Sequence, residues 1–247
     1  MDTYIQTKQS RQALRMVEAT RASATRIGLI TGAPGTGKTA LSRHLAEQPG
    51  CVRVCCYAAM SRPGLVGLVA RALGLEHVGA YDSVLLSCRD EIARRVAAEP
   101  VLPTLVIDEA NHLSWRLLET LRILADEDGA ALILVGTDIL TTTLRDGRTA
   151  TYLAQLSSRI GAKQVRLANL GDLRAATAYQ ITPQFGPVDK PLAQRWQRIT
   201  GGNWRLASEL ADACRRVMAA AELTTLTDAV LDAAQRDMAG LSGEEAA

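Results

Sequence analysis

Short apolar runs alternate with stretches of helical periodicity through the first two thirds of the chain, and then the runs stop. Residues 5 to 23 hold Ile5, Leu14 and Val17 among polar positions without glycine or proline, a pattern that predicts a weakly amphipathic leading helix. Arg26-Ile27-Gly28-Leu29-Ile30-Thr31 then reads as a strand that ends in a glycine-rich turn, and a helix is expected from Lys38 to Glu47. The alternation repeats as a strand over Val52 to Tyr57 with a helix over Leu65 to Leu73, and a strand over Leu105 to Ile107 with a helix from Ser114 to Asp126. Ala131 to Val135 followed by a helical segment, and a last run Gln164-Val165-Arg166-Leu167, complete five strands.

Parallel neighbours need long crossovers, usually helices, so this order predicts an α/β fold with a five-stranded parallel sheet covered on both faces. From Gly171 to Gly240 the strand signal is gone. Helices are expected around Leu173 to Gln180, Leu192 to Thr200, Trp204 to Ala221 and Leu226 to Met238, punctuated by Pro183, Gly186, Pro187, Pro191 and Gly201-Gly202. The division expected is a basic helix over 1–25, an α/β core over 26–169 and an all-helical domain with an acidic tail over 170–247.

Composition narrows the class. Of 247 residues, 47% are hydrophobic but only 4% aromatic, which predicts aliphatic cores and excludes wholesale disorder. The formal charge of +2 does not announce nucleic acid, so any such surface must be local. Residues 1 to 26 carry five basic residues against two acidic, a net +3, whereas residues 222 to 247 carry one against six, a net −5. Ends of opposite sign could bring copies together head to tail or simply be two solvated helices. Five cysteines, an odd number with no C-x-x-C pair, read as reduced thiols, and no apolar run approaches the roughly 18 residues that cross a bilayer. A cytoplasmic location without membrane contact is expected.

Gly32-Ala33-Pro34-Gly35-Thr36-Gly37-Lys38-Thr39 fits G-x-x-x-x-G-K-[ST] between a predicted strand and a predicted helix. Such a loop, with Gly32, Pro34, Gly35, Thr36, Gly37, Lys38, Thr39 and Ala40, wraps phosphates in backbone N–H groups at a helix N-terminus. Lys38 would reach the β and γ phosphates of ATP, and the Thr39 hydroxyl would ligate Mg²⁺. Some 70 residues on, Leu105-Val106-Ile107-Asp108-Glu109 is a buried strand ending in two carboxylates. Asp108 would serve the metal and Glu109 an attacking water, which points to hydrolysis.

With Leu134-Val135-Gly136-Thr137, Leu156-Ser157-Ser158-Arg159-Ile160 and Gly201-Gly202-Asn203-Trp204-Arg205, these segments follow the order of the AAA+ ATPases, which the chain resembles over about residues 20 to 240. Ile107 to Leu113 and Leu118 to Arg122 look like the branch that holds the phage Mu transposition protein B, TniB and ExeA-type ATPases. The resemblance implies that Thr137 senses the γ-phosphate or the attacking water, at a position where many relatives carry asparagine. It implies that Arg159 is an arginine finger for a neighbouring subunit, with Arg145 and Arg148 as nearby competitors, and that Arg205 touches nucleotide from the helical lid. It further implies an ATPase that forms rings or filaments on double-stranded DNA with little sequence preference, and that regulates transposition by marking target DNA and activating a transposase. Arg62 and Arg116, on loops at one end of the sheet, are the expected DNA contacts, with the core or the leading helix supplying affinity. A secretion-assembly ATPase and a nucleotide-switched protein-binding regulator are the alternatives.

Overall fold

The computed structural model describes residues 4–76, 79–98, 100–145 and 148–243. The last four residues of the expected acidic tail, including Glu244 and Glu245, lie outside them, as do the first three of the leading segment and His77.

The chain divides into two units. In the first, α1 (Lys8–Ala22), β1 (Ile27–Gly32), α2 (Lys38–Ala46), β2 (Cys51–Cys55), α3 (Arg62–Ala72) and α4 (Tyr81–Ala98) lead to β3 (Thr104–Asp108). After β3 come α5 (Trp115–Asp126), β4 (Ala131–Gly136), α6 (Asp138–Arg145), α7 (Ala150–Ile160) and β5 (Gln164–Leu167). All strand pairs are parallel, in the order β2-β3-β4-β1-β5. The register sets Thr31 of β1 beside Gly136 of β4 and Cys55 of β2 beside Asp108 of β3, so the carboxyl ends of the strands form one edge.

Side-chain alternation along each strand supplies two cores. Ile30, Val106, Ile133 and Val135 pack with Ala13, Met16, Val17, Leu41 and Leu45 of α1 and α2. Leu29, Leu105, Ile107, Leu132 and Leu134 face the opposite helices, with Leu65, Leu118, Leu121, Leu153 and Leu156. The three central strands are buried along their whole length, which is why they read as continuous apolar runs. Helix α1 lies close on the sheet because Gly28 has no side chain: a Cβ there would come within 2.6 Å of Met16 Sδ. Of its basic residues, Arg21 donates to Thr104 Oγ1, the Pro49 carbonyl and Cys51 Sγ, whereas Lys8, Arg11 and Arg15 are exposed.

Two features depart from the sequence pattern. Helix α4 is missing from it, because only Cys88 and Ile92 on this helix are fully buried and its apolar periodicity is correspondingly weak. The helical segment expected after β4 is two helices, α6 and α7.

The second unit comprises residues 168–247 together with Gly35–Gly37. It contains α8 (Leu173–Ala176), a π-helical turn (Thr177–Ile181), α9 (Thr182–Phe185), α10 (Lys190–Thr200), α11 (Trp204–Ala220) and α12 (Asp228–Gly243). The helix expected to run on to Gln180 instead widens at the turn, where the Thr182 N–H bonds the Thr177 carbonyl just before Pro183, which has no N–H to give. This directs Gln180 inward: its amide donates to the Gly202 carbonyl at 3.1 Å and accepts from Trp196 Nε1 at 3.4 Å. Trp196 is the centre of the helical core, whereas Trp204 is half-buried beside Gly37. Asp228, Asp232 and Asp237 of α12 pair with Arg195 and Arg216 of the same unit, so these negative charges are engaged locally.

Gly202 is the tightest point of this unit. Its φ is +71°, and a Cβ would fall 2.0 Å from the Leu170 carbonyl oxygen. Gly202→Ala therefore combines a left-handed backbone with a clash against main chain, and should lower stability by roughly 2–4 kcal/mol. Urea denaturation followed by circular dichroism and tryptophan fluorescence measures this, with Gly171→Ala, where a Cβ meets nothing within 4 Å, as the control.

Candidate nucleotide site

The phosphate loop leaves β1 at Gly32 and re-enters helix at Lys38. Gly35 and Gly37 adopt φ of +79° and +91°, open to glycine and strained for other residues. Around Gly35 a Cβ would fall 2.1 Å from Asn203 Oδ1, and the Gly35 carbonyl accepts from the Trp204 N–H at 2.9 Å. Lys38 is buried, and its Nζ donates to the carbonyls of Gly32 and Ala33, both at 2.8 Å. The ammonium group is thus anchored within the loop on oxygen acceptors. Thr36 is buried, Thr39 is half-buried in the first turn of α2, Ala40 follows it exposed, and Pro34 is exposed.

Asp108 ends β3 with 1% exposure, and both its carboxylate oxygens accept hydrogen bonds. Its Oδ2 accepts from Ser42 Oγ at 2.6 Å and from Arg53 Nη2 and Nε at 2.6 and 3.2 Å, while Oδ1 accepts from the Glu109 N–H at 3.0 Å. Glu109 takes a left-handed conformation with φ of 56°, sparsely populated by non-glycine residues, and its carboxylate is half-exposed, 3.8 Å from His112 Nε2. The two neighbouring acids are therefore unlike: one is locked in place and the other reaches toward solvent.

Thr137 follows β4. Its N–H donates to Asn111 Oδ1 at 2.8 Å, and a Cβ on Gly136 would meet the same oxygen at 2.7 Å, so asparagine and glycine fit each other. The Thr137 hydroxyl oxygen is buried without a hydrogen-bond partner. A buried unsatisfied hydroxyl costs about 1–3 kcal/mol, which suits a group kept to meet a polar ligand. Beyond it, Asp138 pairs with Arg166 at 2.7 Å, and that guanidinium, aided by Lys38, holds its carboxyl below the usual range. The loop, the carboxylates and Thr137 are all borne on the carboxyl ends of β1, β3 and β4. A phosphate cradle, the orphaned Thr137 hydroxyl, and the oxygen groups of Thr39 after the loop and of Asp108 at the end of β3 fit a nucleotide with a divalent metal.

Arg159 lies at the other edge. It lies in the last turn of α7, its Nε bonds Asp126 Oδ1 at 2.5 Å, and its carbonyl accepts from Lys163, whose Nζ also reaches Thr25 just before β1. Thr25, Arg26, Asp126 and Arg159 line an open cavity of about 380 Å³ there. Six residues of β1 separate the edges, roughly 17 Å at about 3.3 Å per step, so Arg159 is not part of its own chain's phosphate site. Arg145 and Arg148 are exposed, Arg145 lining a groove with Asp138 and Arg166. Arg205, in the first turn of α11, is exposed, its N–H accepted by Asn203 Oδ1.

Arg62 begins α3 and Arg116 lies in the first turn of α5, both exposed and both on elements that follow a strand's carboxyl end. Arg116 rests 4.3 Å over the Trp115 ring, which stacks on Tyr152 at 4.3 Å. Cys56 is buried beside Asp108 and Glu109, and burial pushes its thiol up to about 12. Ser42, Arg53 and Asn111 join the site without any signal in the sequence. Nothing in their spacing marks them, because each acts through strand register or a loop closure.

A sequence model described as an AAA domain matches residues 20–144. Over 219 residues the chain is 28% identical to the Mu-like prophage FluMu DNA transposition protein B of Haemophilus influenzae, covering 86% of this chain and 72% of that protein. It is also 28% identical over 157 residues to the ATP-dependent target DNA activator B of Escherichia phage Mu, covering 63% of this chain and spanning about half (49%) of that relative's length. The Thermotoga maritima RuvB Holliday junction branch migration motor shares the fold, with a TM-score of 0.54 at 17% identity over 96% of this chain and 70% of that one. A proline-to-glycine mutant of the same motor gives a TM-score of 0.57 at 17% identity over 92% and 69%. Among the described residues no helix is long and apolar enough to cross a membrane. Phosphate loop, paired carboxylates, sheet order and the matched segment agree, and the chain belongs to the AAA domain family of P-loop nucleotide-binding proteins.

Proposed function

We propose that the chain is an ATP-hydrolysing regulator of DNA transposition that assembles with copies of itself on double-stranded DNA and engages a transposase while ATP is bound. The observation that carries this reading is the pairing of a phosphate site at one edge of the sheet with Arg159 at the other, in a chain that aligns along most of its length with a protein named for DNA transposition.

Lys38 exchanges its carbonyl partners for the β and γ phosphates, placing positive charge where the leaving group gathers negative charge. Thr39 and Asp108 would hold Mg²⁺, which when bound screens phosphate charge. Glu109, outside the bonds that lock Asp108, orients the attacking water and takes its proton. Thr137 donates its hydroxyl to the γ-phosphate or to that water, and Asn111 fixes its main chain. Arg159 completes the site of a neighbouring copy, while Arg205 serves the nucleotide of its own chain.

DNA contact falls to exposed cations. Arg62 and Arg116 are offered in the first turns of α3 and α5, the helices that follow β2 and β3, and Lys8, Arg11 and Arg15 share a face of α1 by their spacing of three and four residues. No recognition helix or zinc module is legible in the sequence, so phosphates supply the affinity.

Lys38→Ala should abolish binding of a fluorescent ATP analogue, and Glu109→Gln should retain it while losing steady-state phosphate release and persisting on DNA. Normal analogue binding by the first variant, or unchanged turnover by the second, removes that residue from its role.

Arg159→Ala should bind the analogue within a few-fold of the parent yet hydrolyse ATP about 10³-fold more slowly. Mixed with Lys38→Ala it should regain activity, because one interface then pairs an intact loop with an intact finger. An inactive mixture that co-assembles by light scattering transfers the role to Arg145 or Arg148.

Duplex affinity in the presence of a non-hydrolysable analogue should fall roughly 10³-fold between about 50 and 200 mM salt and vary little with sequence. Fluorescence anisotropy measures it; tight binding to one short sequence that survives high salt contradicts this reading, and electron microscopy of the same mixture reveals rings or filaments.

A further inference from the structure

Arg53 stands on β2, one of the two edge strands, opposite Val106 in the register with β3. From there it reaches past the strand end to the buried carboxylate, with Nη2 2.6 Å from Asp108 Oδ2 and Nε 2.9 Å from Ser42 Oγ. Ser42 is wholly buried, and its hydroxyl also touches the Thr39 carbonyl at 3.0 Å, so the guanidinium is one hydrogen bond from the helical turn that bears the expected metal hydroxyl. The Arg53 side chain is 21% exposed and Asp108 1%, a partly desolvated ion pair at the heart of the candidate site.

A carboxylate at this depth needs a cation, since leaving one buried and unpaired costs several kcal/mol. The nucleotide mechanism uses Asp108 but has no role for Arg53. We propose that Arg53 is a positioning residue that acts through Asp108: it compensates the carboxylate before metal arrives, fixes the orientation of the carboxylate through Oδ2, and sets how much Mg²⁺ the nucleotide site requires. This rests on the reading of the P-loop as a Mg²⁺-nucleotide site. Two cations on one carboxylate repel each other, so Arg53 raises the metal concentration needed for half-saturation. At an effective dielectric between about 40 and 80, suited to a pair that is only partly desolvated, and a separation of roughly 6 Å, the repulsion on a divalent ion is worth about 10- to 100-fold in metal affinity.

The alternative is a tie that merely fastens β2 to β3. The two differ in the Mg²⁺ dependence of nucleotide binding, followed by fluorescence of an N-methylanthraniloyl-ATP analogue as Mg²⁺ is titrated from an EDTA-treated sample. Arg53→Gln should move the midpoint to about 10-fold lower Mg²⁺ or further and lower the melting temperature of the metal-free protein. Arg53→Lys, which keeps the charge and loses the fork, should hold the midpoint within about twofold of the parent. A midpoint in Arg53→Gln that is unmoved or raised, or one in Arg53→Lys that falls as far as in the glutamine variant, overturns the proposal. If Arg53→Gln does not fold, the Arg53 side-chain Nε–H resonance of the parent decides. It should shift when Mg²⁺ is added to the nucleotide complex and stay fixed for nucleotide in EDTA; no shift on adding Mg²⁺ overturns the proposal. A parent that binds no nucleotide at any Mg²⁺ concentration overturns the P-loop reading and this proposal together, whereas binding with an unmoved midpoint overturns this one alone.

Discussion

A single buried carboxylate organises the candidate site. Asp108 cannot end a strand at 1% exposure unless its oxygens are satisfied, and satisfying them recruits Ser42 from α2, Arg53 from β2 and the main chain of Glu109. Those partners fix α2 against the sheet one turn beyond the phosphate loop, and they fix the edge strand against β3. The Glu109 N–H is part of the same network, which begins the turn that carries its own side chain away from Asp108. The rest of the first unit follows from parallel strands, whose continuous burial requires helices on both faces.

The fold is legible in the sequence where one physical signal dominates. Strands β1, β3 and β4 are buried from end to end, so their apolar runs can be read directly, and the phosphate loop is readable because glycine spacing encodes backbone conformation. Helix α4 escapes because most of its surface is exposed and few of its side chains must be apolar. The widened turn at Thr177–Ile181 escapes because helical periodicity does not register one extra residue. Arg53, Ser42 and Asn111 escape for another reason: an arginine two residues before the end of β2 becomes a partner of Asp108 only when β2 lies beside β3, and that neighbourhood is a property of strand order.

The placement of Arg159 bears on assembly. Its side chain is held by Asp126, which Arg122 also engages, at the amino edge of the sheet, while the phosphate loop leaves the carboxyl edge. In the proposed arrangement the two surfaces that meet are different faces of the same molecule, so contacts between copies repeat in one direction. Such contacts close into a ring or continue as a helix according to the rotation between neighbours.

Glu109 carries a cost of a different kind. A side chain beyond Cβ in the left-handed region is held there by the turn around it, at an expense of order 1–3 kcal/mol that glycine would not incur. In the proposed mechanism this strained residue is also the one that meets the attacking water, so durability and chemistry would pull apart there. Stability gained elsewhere, in the aliphatic layers above and below the sheet, is what allows such a residue to be kept.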